Sequence, residues 1–197
     1  EQLQDQDALS AKPALHKDKL LEKVCSKLPK EISTEEVDAH FSLLPERYFI
    51  NTSADELALH LQMIHQLLNQ IQRSDSLGSL APIINWRNDI DLNMTIVNVV
   101  TWDRAGLFYK LAGALSLAGV SISNTRAISR GDHISIDTFC VMDPQGGRVA
   151  QTRVKEVFER HLNDCLMHGK ELLPAIIELE AQTKQQKPKE PQLAPFP

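Results

Sequence analysis

Residues 94–102, MTIVNVVTW, constrain this chain more than any other stretch. Their density of β-branched side chains favours a strand. DRAGLFYKLAGALSLAG follows, with Leu107, Leu111, Ala114, Leu115 and Ala118 at helical spacing and Gly119 ending the helix as a C′ residue. A second β-branched run, 120–130, turns at Gly131-Asp132 and returns through 133–143. After the turn PQGG, residues 148–169 carry Val154, Val157, Phe158, Leu162 and Leu166 on one helical face. KELLPAIIELEAQ extends that helix or starts another, with Pro174 tolerable only in a first turn. Strand, helix, strand, strand, helix are five of the six elements of a ferredoxin-like split βαβ unit, an α+β fold. The closing strand is missing from its usual place, and an open sheet edge must be covered. Three coverings stand open: a strand beyond this chain, the apolar run APIINW, or a partner chain.

Upstream the texture is helical. Residues 18–28 place Leu20, Leu21, Val24 and Leu28 on one face, ended by Pro29. Ser33 and Glu36 match a capping box for the next helix, which Pro45 closes. ERYFIN reads as a short linker. Ser53 and Glu56 form a second capping box, opening a helix with Leu57, Leu61, Ile64, Leu68 and Ile71 at helical spacing. The organisation read is 1–17 disordered, 18–73 helical, 74–91 a linker with a possible short strand, 92–182 the α+β domain, and 183–197 a disordered Pro-rich tail.

Composition narrows the function classes. The net charge is −5, with no long basic run, which argues against nucleic acid as the main partner. No apolar stretch is long enough to span a bilayer, and no signal peptide is visible. Cys25, Cys140 and Cys165 are odd in number and far apart, so a reducing cytoplasm is the simpler location. The chain opens without Met in polar sequence, which reads as a piece of something longer.

VNVVTWDRAGLFYKLAGALSLAGVSISNTRAIS followed by DTFCVMDPQGG resembles an ACT domain, a βαββαβ regulatory module that often binds amino acids. That family's corner motif reads Asp-Arg-Pro-Gly-Leu, matched here by Asp103, Arg104, Ala105, Gly106 and Leu107, with Ala105 in place of Pro. Ser121 stands where many members have Asn. Together with the upstream LLPERYFINTSADELALHLQMIHQLL, the pattern is similar to the C-terminal regulatory region of the bacterial protein-PII uridylyltransferase/uridylyl-removing enzyme family: the segment after its HD domain plus the first ACT domain. The resemblance implies an effector site at Asp103–Leu107, an amino-acid effector (glutamine in that family), a second ACT domain as neighbour, and PII protein as partner of the parent enzyme. It also implies a nucleotidyltransferase that uses Mg²⁺. This chain holds no glycine corner with paired carboxylates for Mg²⁺ and no HD pair, so no cofactor and no catalytic residue are expected within it. The rival reading is an ACT-type interaction module that binds no ligand.

Other constellations have plainer readings. Asp103 is well placed as an N-cap, which is compatible with ligand contact. Gly106 permits close approach of a ligand, or else of a packed backbone. His161, Cys165 and His168 share a helix face, but one straight helix rarely supplies three zinc ligands, so a mixed face is expected. His60 and His65 carry no reading. Arg130-Gly131-Asp132 is a turn. Ala112, Gly113 and Ala114 let their helix lie close on its sheet, and Asp137 has only Arg126 as a conceivable partner. Ile134, Ile136, Thr138 and Cys140 share one strand face and Asp137, Phe139 and Val141 the other. Helices would cover one face, leaving the other for a second ACT domain.

Overall fold

The computed structural model describes residues 17–73 and 81–186. Disorder expected at the termini falls mostly outside these residues, as do residues 74–80 of the linker expected at 74–91. Residue 17 is already helical.

Helix α1 covers 17–25, α2 Thr34–Leu43, α3 Glu46–Ile50 and α4 Ala54–Arg73. The capping box at Ser33 and Glu36 is complete in both directions. At α4 the Ser53 hydroxyl accepts the Glu56 N–H. ERYFIN is not a linker: Pro45 sits as N-cap, and Tyr48 and Phe49 are buried, giving the short segment an apolar anchor that makes it a helix.

Strands β1 (Ile83–Asp89), β2 (Met94–Trp102), β3 (Ser121–Ser129) and β4 (Ile134–Met142) form one antiparallel sheet in the order β1-β2-β4-β3. Helices α5 (Leu107–Leu117), α6 (Thr152–His168) and α7 (Leu173–Gln186) complete the chain. Pro174 lies in the first turn of α7, where its missing N–H costs nothing. That helix runs four residues into the stretch read as tail.

The sheet order answers the question of the open edge. β2 and β4 are central, and the place of the absent closing strand is taken by β1. It pairs antiparallel with β2 from Ile83 opposite Val100 to Asp89 opposite Met94. The strand just upstream of β2, joined to it as a hairpin, thus covers the edge that the sequence pattern left open.

Both faces of the sheet are covered. Val97, Val99, Phe139 and Val141 pack against Leu107, Leu111, Leu115, Phe158 and Leu162 of α5 and α6. Val100, Ile134 and Ile136 share a second core with Leu57, Leu61 and Ile64 of α4 and with Val24, Phe41, Tyr48 and Phe49. This chain's own helices therefore occupy the face set aside for a second ACT domain. It follows that seven of the nine β2 residues are buried without alternation. Gly113 faces α7 rather than the sheet: a Cβ there would meet Ile176 Cδ1 at 3.2 Å and Leu172 Cδ1 at 3.3 Å.

Candidate functional site

The corner between β2 and α5 is built by backbone pairing that continues past the strand. The Asp103 N–H donates to the His133 carbonyl at 2.7 Å. Its carboxylate accepts the Ser129 hydroxyl at 2.6 Å across the sheet. Asp103 is therefore not the N-cap. Gly106 takes that position at φ +71°, with no side-chain cap. A Cβ there would meet nothing within 4 Å, so glycine is required by the backbone angle and not by packing. The Leu107 N–H returns to the Arg104 carbonyl at 3.1 Å, and the Leu107 side chain is buried. Arg104 reaches across to donate to the Leu166 carbonyl at 3.2 Å in the last turn of α6, where carbonyls lack helical partners. Ala105 and Gly106 are exposed.

Beneath this corner lies a polar row that the sequence did not mark. Thr101 of β2, Ser135 of β4 and Ser129 of β3 stand opposite one another, and Asp137 follows on the same face. The Ser135 hydroxyl donates to Asp137 at 2.6 Å. Burial pushes the Asp137 carboxyl up to about 6, and the Asp103 charge adds to the rise. Arg126 is not its partner; it lies on the opposite face, paired with Glu56 at 2.6 Å. The Thr101 hydroxyl is buried with no hydrogen-bond partner among the described residues.

The second polar feature joins the helical segment to the sheet. His40, Tyr48, His60, Asn98 and Thr138 are all buried. Thr138 donates to Asn98 Oδ1 at 2.9 Å, and that oxygen also meets His60 Nε2 at 3.0 Å. His60 Nε2 must then carry the proton, so Nδ1 accepts from the Tyr48 hydroxyl at 2.8 Å. The Tyr48 oxygen accepts in turn from His40 Nε2 at 3.3 Å. Both histidines are held neutral: burial, aided by the Arg130 charge, lowers His40 to about 3, and burial lowers His60. No periodicity could have found this chain, because its members come from five elements. His65, also unread, bonds Glu36 at 2.7 Å and so ties α4 to the cap of α2. Tyr48→Phe should destabilise by about 1–3 kcal/mol, since it leaves two buried imidazole nitrogens without partners. A urea titration checks this, and an unchanged midpoint would remove the network from the fold's energetics.

The remaining sequence candidates resolve simply. Arg130 and Asp132 pair within their own turn at 2.5 Å. Cys165 is buried and His168 exposed, and no cluster of three metal-ligating side chains occurs among the described residues. No helix there is long and apolar enough to cross a membrane.

No protein-family model matches the chain. It is 27% identical over 140 residues, 71% of its length, to a bifunctional uridylyltransferase/uridylyl-removing enzyme of Erythrobacter litoralis. The counterpart of Novosphingobium aromaticivorans is 29% identical over 133 residues, 68% of this chain. An Azospirillum brasilense enzyme of the same name is 38% identical over 64 residues. The chain is similar to one part of these bifunctional enzymes, spanning only 14% of the length of each of the first two.

Proposed function

We propose that this chain is a regulatory, amino-acid-sensing region of a uridylyltransferase/uridylyl-removing enzyme acting on PII protein in the bacterial cytoplasm, with glutamine as effector. The observation that carries the reading is the corner itself. Gly106 leaves open space at the exposed start of α5, whose first N–H groups have no side-chain acceptor. A helix start of this kind suits an effector's carboxylate. Asp103 supplies a negative charge for the ammonium group, within electrostatic reach of buried Asp137. Similarity to enzymes with two opposed activities supports a role in switching between them. Effector binding would act by population shift: it favours whichever arrangement of the neighbouring domains binds it more tightly. A second ACT domain is one such neighbour.

Glutamine titration by calorimetry tests the reading. Gly106→Ala places a methyl group in the open space and forces alanine to a positive φ. It should weaken binding at least about tenfold while costing about 1–2 kcal/mol of stability. Asp103→Asn keeps an acceptor for Ser129 but removes the charge, and should also weaken binding. One observation favours the interaction-module alternative: Asp103 and Arg104 are both engaged within the chain. Absence of heat with glutamine would decide for that alternative.

A further inference from the structure

A cleft of about 490 Å³ opens on the opposite face of the sheet from Asp137, between the α3–α4 junction and strands β3 and β4. Asn51, Asn124, Thr125, Arg126, Thr138 and Cys140 line it. Its composition is set by a defect in strand pairing. Ile122 stands opposite Val141, yet Asn124 stands opposite Cys140, so two β3 residues span one β4 step. This bulge inverts the strand's alternation. Ile122 joins the core under α5 and α6, while Asn124, Arg126 and Ile128 turn to the face of the helical segment. Without the bulge Asn124 would point away from the cleft.

The polar groups converge. Arg126, Thr138 and Asn98 form one row across three strands. The guanidinium donates to the Asn51 carbonyl and to Glu56 Oε1, leaving its Nε–H edge. Asn124 Oδ1 accepts the neighbouring Thr125 N–H, and Asn51 Nδ2 donates to the Arg47 carbonyl, which leaves one further polar atom on each amide. Behind Thr138, the Asn98 amide nitrogen is fully buried and unpartnered among the described residues. The cleft thus offers a cation offset by a carboxylate at 2.6 Å, two amides and the Thr138 hydroxyl.

We propose that this cleft is a second small-molecule site, distinct from the corner, that takes a free α-amino acid. The ligand's carboxylate meets the Arg126 edge, and its polar side chain meets the Asn51 and Asn124 amides. A lone carboxylate fits less well, because Glu56 already neutralises Arg126. Since Asn51 belongs to the helical segment and the other lining residues to the sheet, occupancy ties the two together.

Cys140 makes the test direct. Its thiol lines the cleft and is pushed up by burial, so it reacts slowly, whereas Cys25 is exposed and serves as an internal reference. The chain is treated with N-ethylmaleimide in the presence of each standard amino acid in turn, and labelling at each cysteine is read by peptide mass spectrometry. At least one amino acid, glutamine first among those tried, should slow Cys140 labelling about tenfold at a concentration near ten times its Kd, with Cys25 unaffected. Arg126→Met should abolish the protection, and Asn124→Ala, at an exposed position, should weaken it severalfold. Gly106→Ala should leave it intact, which keeps this site separable from the corner. The proposal is overturned if no amino acid protects Cys140, if protection survives both cleft variants, or if Gly106→Ala removes it.

Discussion

Leu111→Ala will destabilise the protein by about 2–5 kcal/mol in a urea titration. Leu111 has no exposed surface and sits in the core formed by Val97, Val99 and Phe139 of the sheet with Phe158 and Leu162 of α6. A helix held between a sheet and another helix cannot collapse into the space a leucine leaves, so a cavity adds to the lost transfer energy. Tyr109, two positions earlier on the same helix and about half exposed, gives the contrast: Tyr109→Ala should change stability by no more than about 0.5 kcal/mol. Equal effects at both positions would mean that α5 is not anchored by this face.

Asp137→Asn will stabilise the protein by up to about 3 kcal/mol at pH 8, and by almost nothing at pH 4. Burial raises the folded Asp137 from the usual 3.8 to about 6, so ionising it above pH 6 costs folding energy that the unfolded chain escapes. On acidification from 6 to 3.8 the folded chain takes up this proton first, and stability rises by about 1.4 kcal/mol per pH unit. His40 has the opposite sign. Its folded value of about 3 lies below the usual 6.5, so between these limits the unfolded chain binds the proton and stability falls with a similar slope. His60 acts in the same direction. The Asp137 contribution should therefore nearly cancel that of His40 between pH 6 and 4, whereas Asp137→Asn should lose stability steeply over that range. Urea titrations of both proteins at several pH values give the difference curve directly. A difference that does not change with pH would show that Asp137 titrates alike in the folded and unfolded chains.

Local patterning determined the elements. The capping box at Ser33 and Glu36, the β-branching at 94–102 and the 3.6-residue stripe from Leu107 to Leu115 each depend on residues close in sequence. Each appears in the structure where those residues place it. The resemblance through Asp103–Leu107 likewise marks a corner with an αL glycine and an open helix start. Segments with little periodicity were less legible: ERYFI is too short to show a helical stripe, and becomes a helix because Tyr48 and Phe49 find a core built by other segments.

Tertiary structure alone decided how these pieces meet. No local signal says that β1 takes the closing place beside β2, because edge pairing depends on backbone groups that every strand carries alike. Nor could spacing show that α4 covers the second sheet face, since an apolar strand face is the same whether a helix of this chain or another domain buries it. The chain from His40 to Thr138 joins residues nearly a hundred positions apart, and only docking of the helical segment on the sheet brings them within hydrogen-bond reach. The same docking creates the Arg126 cleft, whose lining is set by a one-residue slip between β3 and β4 that the side-chain pattern of β3 does not announce.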